Sequence, residues 1–125
     1  MPHDLTQTAF ELADIEEWLA GDDRVLAFQV VDASGAGVDI SSATVMWSLF
    51  EREYQSDPAD AVLSESDGGV EVVTDSRVDT SVGEFDVRID GEATDDLYGE
   101  YYQRPNVEQT DGTEASWRGD VILTA

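Results

Sequence analysis

Residues 34–47 read SGAGVDISSATVMW. Gly35 and Gly37 turn the chain, Ile40 anchors the short segment on a core, and Asp39, Ser41 and Ser42 hydrogen-bond local backbone. After the polar run Asp39–Thr44 the pattern changes to strict alternation. In ATVMWSLF (43–50), Ala43, Val45, Trp47 and Leu49 share one face. The preceding stretch, VLAFQVV (25–31), alternates in the same way with Leu26, Phe28 and Val30. The quoted residues therefore join two half-buried strands.

The rest of the chain continues in short strands divided by turns. AVLSES (61–66) and VEVVT (70–74) flank the turn SDGG. GEFDVRID (83–90) sets Phe85, Val87 and Ile89 against Glu84, Asp86, Arg88 and Asp90. GEATDDLYG (91–99) reads as a one-turn helix near 93–98 with Thr94 as its cap. EYYQRPNVE (100–108) is a strand in which Pro105 implies an edge or a bulge. DGTEAS (111–116) is a turn and WRGDVILTA (117–125) the closing strand. Residues 8–21 stay ambiguous: Thr8 and Glu11 suit a capping box and Gly21 a helix end, while Ala13–Leu19 also fits a strand. Seven to eight antiparallel strands at this spacing specify an all-β sandwich. Tyr101, opening a strand just after Leu97 and Gly99, suits the corner tyrosine of such sandwiches.

Composition narrows the chemistry. The 125 residues suffice for one domain. There is no cysteine, and the single histidine is His3, so disulfides, thiolate sites and histidine triads are excluded. No apolar run reaches the length of a membrane span, and the first residues lack the basic and apolar regions of a secretory signal, so neither is expected. Twenty-nine acids face six arginines and no lysine, for a net charge of −23. Residues 1–62 carry −11 and residues 63–125 carry −12, so the whole surface is acidic. Such a surface repels itself in dilute buffer but not at molar salt, where the Debye length is about 3 Å. Uniform acidity with Asp over Glu resembles proteins of salt-accumulating archaea. Nucleic-acid binding is not expected without clustered basic residues.

Phe28-Gln29-Val30-Val31-Asp32 through Gly37-Val38-Asp39-Ile40-Ser41-Ser42-Ala43-Thr44-Val45-Met46-Trp47-Ser48-Leu49 follows an order that resembles small Ig-like β-sandwich structural proteins of tailed viruses. It is similar to the N-terminal domain of phage baseplate upper proteins. Gly21-Asp22, Leu97-Tyr98-Gly99-Glu100-Tyr101 and the closing Arg118-Gly119-Asp120-Val121-Ile122-Leu123 extend the likeness. Asp39, Ile40, Thr44, Trp47, Leu97, Gly99 and Tyr101 are its structural positions. The resemblance implies a single Ig-like sandwich over 13–125, with a strand near 13–19; residues 1–12 have no counterpart in it and read as an N-terminal arm of this protein's own. It brings no catalytic residue. Ser42, where that family has Gly, departs from it, as does Pro105.

The implied function is that of a non-enzymatic virion protein of a haloarchaeal tailed virus, in the tail or baseplate. Alternatives are a capsid decoration, turret or head–tail joining protein, or an adhesin recognising host glycan or protein. Expected partners are other virion proteins and further copies in a ring or symmetric oligomer, with no nucleic acid, membrane or cofactor. Acid pairs such as Asp22-Asp23 and Asp95-Asp96 are the expectation from so many carboxylates, and no metal site can be assigned. Arg118-Gly119-Asp120 reads as a strand bend rather than an adhesion tripeptide. Aromatic residues and arginine concentrate at interface centres, which selects Arg52, Tyr54, Tyr98, Tyr102 and Arg104 as interface candidates.

Overall fold

A strand with one apolar face gains nothing until that face is covered, so short alternating strands pair into sheets and the sheets stack. The computed structural model describes residues 9–10, 15–55, 57–116 and 118–125. Among them are strands β1 (Ala9–Phe10), β2 (Ile15–Leu19), β3 (Arg24–Val31), β4 (Thr44–Phe50), β5 (Leu63–Ser64), β6 (Val70–Val73), β7 (Glu84–Ile89), β8 (Gly99–Glu108), β9 (Glu114–Ser116) and β10 (Gly119–Thr124). One sheet has the order β1-β3-β7-β6; the other runs β2-β10-β8-β4-β5, with β9 also paired on β8. The result is an Ig-like sandwich.

Three details of the strand set differ from the sequence expectation. Two strands are added: Ala9–Phe10, inside the segment assigned to an arm, pairs with Val30 and Val31, and Glu114–Ser116, expected as turn, pairs with β8. Both are too short to show alternation. One pairing is parallel, β2 on β10, with Ile15 beside Asp120 and Leu19 beside Thr124. It settles residues 15–19 as strand, because the pairing partner lies at the far end of the chain. The other residues of the arm, including Thr8 and Glu11, lie outside the described residues, as does Trp117.

Around the quoted segment, Asp32 accepts from Ser34 N, Ser34 Oγ and Ala36 N, closing the turn that Gly35 completes at φ 86°. Gly37 has a different purpose from the one expected: a Cβ there would lie 2.1 Å from the Val82 carbonyl oxygen. Close approach of two backbones, not a turn, demands glycine. Asp39 accepts from Ser41 N at 2.9 Å and Ser41 Oγ at 2.7 Å, and buried Ile40 donates its N–H to Thr80 O.

The helical turn falls at Gly91–Ala93, slightly earlier than expected, and Thr94 follows it instead of capping its start. Thr94 Oγ1 accepts from Gly21 N at 3.2 Å, while Asp23 Oδ1 accepts from Gly91 N at 2.7 Å. These bonds tie the β7–β8 connection to the β2–β3 turn. A Cβ on Gly91 would lie 2.0 Å from Gly21 O, which excludes any side chain.

Pro105 does not mark an edge. β8 lies between β4 and the β9/β10 side, with Pro105 in register opposite Trp47. The Trp47 N–H points the other way, to Glu65 Oε2 at 3.1 Å. On the far side of β8, pairing with β10 ends at Gln103–Gly119 and pairing with β9 resumes at Asn106–Ser116. The proline, which has no N–H to give, occupies the interval between them.

The core gathers Leu26, Phe28, Val30, Ile40, Trp47, Leu49, Phe85, Val87, Val107, Val121 and Leu123. Full burial of each large side chain contributes roughly 1.5–3 kcal/mol. Phe28 and Phe85 stack across the β3–β7 pair with centroids 4.9 Å apart. Many Ig-like domains pack a tryptophan on the third core strand against a disulfide whose second cysteine lies two residues after the corner tyrosine. Here that position holds Gln103, whose Oε1 accepts from Trp47 Nε1 at 2.9 Å. A side-chain hydrogen bond within one sheet engages this position, where such domains bridge the two sheets.

Candidate assembly surface

Alternation along β4, β8 and β10 sends Met46, Ser48, Phe50, Tyr102, Arg104, Asn106, Asp120 and Ile122 to the outer face of the six-stranded sheet. Glu100 and Asp120 flank Tyr102 and Ile122 on it. Phe50 is buried although it faces outward: with Met46, Ser48, Arg104 and Asn106 it lines a hollow of about 40 Å³ closed by Pro58 and Glu65. The connection after β4 thus folds back on this face. Asp57, accepting from Ala59 N, starts the short Pro58–Asp60 turn that does so.

Of the interface candidates, Tyr102 and Arg104 come together on this face, half-buried, opposite Phe50 and Ser48 respectively. Arg52 and Tyr54 lie just past the end of β4, in a turn closed by Gln55 through Arg52 N and O. Tyr54 is 80% exposed, and Tyr98, preceding β8, is 71% exposed. Leu19, on β2 beside Thr124, is a further exposed apolar side chain at the same end of the sheet.

The structural positions have different surroundings. Ile40 and Trp47 are buried, Asp39 and Thr44 are exposed, and Leu97 packs partly buried against the core. Gly99 adopts φ 108°. Tyr101 reaches back to its corner: its hydroxyl accepts from Tyr98 N at 3.2 Å and donates to Tyr98 O at 3.3 Å.

Sequence reasoning missed two charged contacts that join different elements, Arg24–Glu16 and Arg77–Glu71, and one within a single turn, Arg77–Asp75. Arg24 Nη2 donates to Glu16 Oε2 at 2.6 Å, linking the two sheets, with its guanidinium 5.5 Å from the Trp18 ring centroid. Arg77 lies over the four-stranded sheet, donating to Glu71 and Asp75. Its hydrogen bonds hold both carboxyls below their ordinary range, Asp75 at about 2.

The outer face of β3 and β7 carries a shallow depression of about 370 Å³, lined by Ala27, Gln29, Arg77, Val78, Glu84 and Asp86. Burial, and then the nearby Glu84, raise the Asp86 pKa. Glu84 Oε1 accepts the Asp79 N–H at 3.1 Å. Among the described residues no three His, Cys, Asp or Glu side chains gather as a metal-ligand set.

No protein-family model matches the chain, and no curated protein matches it. Among solved structures the chain is similar to the filamin domain of Lin-41, at 14% identity and a TM-score of 0.47 over 94% of this chain and 93% of that one. It is similar to CopC from Methylosinus trichosporium OB3b, at 11% identity and a TM-score of 0.49 over 93% and 89%. A third likeness is to AggA, the major subunit of aggregative adherence fimbriae type I from Escherichia coli, at 11% identity and a TM-score of 0.40 over 94% of each chain.

Proposed function

We propose that this chain is a non-enzymatic structural protein of a tailed virus that infects a salt-loving archaeon. It is made in the high-salt cytoplasm of the host and built into the virion through protein–protein contacts. The tail or baseplate is its place, with copies arranged in a ring or symmetric cluster. The observation that carries the proposal is the coincidence of two sequence features. One is the motif order from Phe28 to Leu49 and from Leu97 to Tyr101, which resembles sandwich proteins of tailed viruses. The other is a net charge of −23 with no lysine, suited to molar salt. The outer sheet face with Tyr102 and Arg104 offers residue types that concentrate in interfaces.

Mass spectrometry of gradient-purified particles tests the proposal. The chain is expected at a fixed ratio to the major capsid protein. Its absence from particles, with the protein abundant in infected cells, would overturn the assignment. A higher copy number, tracking the capsid, would move the chain to a decoration, turret or joining role.

Exposed Tyr54 and Tyr98 favour one second reading, an adhesin that stacks host glycans on aromatic rings. Saturable binding of the purified chain on a glycan array, lost on Tyr54→Ala, would select it.

A further inference from the structure

Between β8 and β10 the outer face of the six-stranded sheet carries a hollow of about 110 Å³, lined by Glu100, Tyr102, Asp120 and Ile122. The register sets Asp120 opposite Tyr102 and Ile122 opposite Glu100. The four residues therefore form a square, with the carboxylates on one diagonal and the tyrosine and isoleucine on the other. Diagonal neighbours across an antiparallel pair lie about 7–8 Å apart. One small planar group can reach both carboxylates across that span.

Among the described residues neither carboxylate, nor the Tyr102 hydroxyl, has a hydrogen-bond or ion-pair partner. Other acids are already used: Asp32, Asp39, Asp79 and Asp111 close their own turns by accepting backbone N–H groups. Charge alone does not set the hollow apart in a chain with 29 acids. The distinction is that uncommitted acceptors stand on both sides of a half-buried ring and a half-buried aliphatic side chain. At molar salt the Debye length is about 3 Å, so a useful charge pair must act at contact. A guanidinium meets these demands: it is weakly hydrated, stacks on an aromatic face and carries its donors in one planar fork. An ammonium is a strongly hydrated point charge, for which potassium ions compete directly.

We propose that the hollow seats an arginine side chain presented by a different virion protein, its guanidinium lying against Tyr102 between Glu100 and Asp120. The inference rests on the assembly role above and names the chemistry of the partner. A second copy of this chain is a poorer source of the arginine. Arg24 and Arg77 bond Glu16, Glu71 and Asp75. Arg104 is engaged within its own chain, Arg88 stands opposite Glu71 in register, and Arg52 donates to the Glu51 carbonyl oxygen. Arg118 directly precedes β10, which itself lines the hollow, so its use would bring two copies of the same acidic face together.

Backbone-amide NMR of the isotope-labelled chain in molar KCl tests the site. The probes are the blocked tripeptide acetyl-Ala-Arg-Ala-amide, its lysine counterpart and methyl glucoside. The arginine peptide is expected to give saturable shifts confined to residues 100–102 and 120–122, and the lysine peptide a several-fold weaker response. Tyr102→Ala and Glu100→Gln/Asp120→Asn are each expected to lose the saturable shifts, and Tyr102→Phe to keep them. Spectra that match wild type away from the hollow show that each variant is folded. Shifts that are absent, that scatter over the acidic surface, or that survive both losses would overturn the site. An equal response to lysine would overturn the choice of arginine. Saturation by methyl glucoside alone would replace it with a sugar site. Line broadening of the unliganded chain that Arg118→Gln abolishes would replace it with a contact between copies. In each of these cases particle composition still decides the virion role independently.

Discussion

The Trp47 indole N–H donates to Gln103 Oε1 at 2.9 Å, and both side chains are fully buried between the sheets. The bond joins β4 to β8 at the centre of the six-stranded sheet. Its cost is visible on the same amide: Gln103 Nε2 is buried with no hydrogen-bond partner among the described residues.

Truncating Gln103 to alanine leaves the Trp47 indole N–H unsatisfied and opens a cavity, so Gln103→Ala should lose about 2–4 kcal/mol of stability. The double variant Trp47→Phe/Gln103→Leu removes both polar partners together and should cost less than the sum of the single changes. Urea unfolding at constant molar KCl measures both. Strict additivity would mean that the bond does not couple the two strands.

Tyr101→Phe keeps the ring and deletes the hydroxyl that bonds Tyr98 N and O. The expected loss is about 1 kcal/mol. Phe85 is buried without such a polar group, and the comparison that matters is between Tyr101→Phe and wild type in the same urea titration. Equal midpoints would show that the corner bond contributes nothing net.

Acidification has a definite sign once salt has screened the general repulsion. Ser41 holds the Asp39 carboxyl below its ordinary range, Thr113 does the same for Asp111, and Arg77 for Glu71 and Asp75. Depressed folded pKa values add stability that is present above the ordinary carboxylate range and is lost as pH falls through the folded values, for Asp75 down to about 2. Asp86, raised by burial, works in the opposite sense and gains on protonation. Four against one, the melting temperature in molar KCl should fall between about pH 5 and pH 2. A rise over that interval would mean that residual repulsion among the 29 acids still dominates.

Salt itself should stabilise the fold. With −23 spread over both halves of the chain, the melting temperature should climb steeply from dilute buffer to molar KCl. An unchanged melt would remove the halophilic element of the account.

Much of the fold was legible in the sequence, for identifiable reasons. Phe85, Val87 and Ile89 alternate without interruption, and Trp47 with Leu49 marks a strand buried on its inner face. Tyr101 could be assigned to a corner because its spacing from Leu97 and Gly99 is local. What could not be read depended on distant partners. Ile15–Leu19 is a strand because β10 lies beside it, and Pro105 is tolerated because β9 and β10 leave an interval opposite it. The role of Gln103 is equally hidden, since the residue that bonds it is 56 positions away.

Antibody labelling of intact, gradient-purified particles in molar salt, viewed by electron microscopy, tests the central claim most directly. The account predicts label confined to one end of the particle, at the tail or baseplate. Label absent from every intact particle, with the protein recovered only in the unassembled fraction, would contradict it.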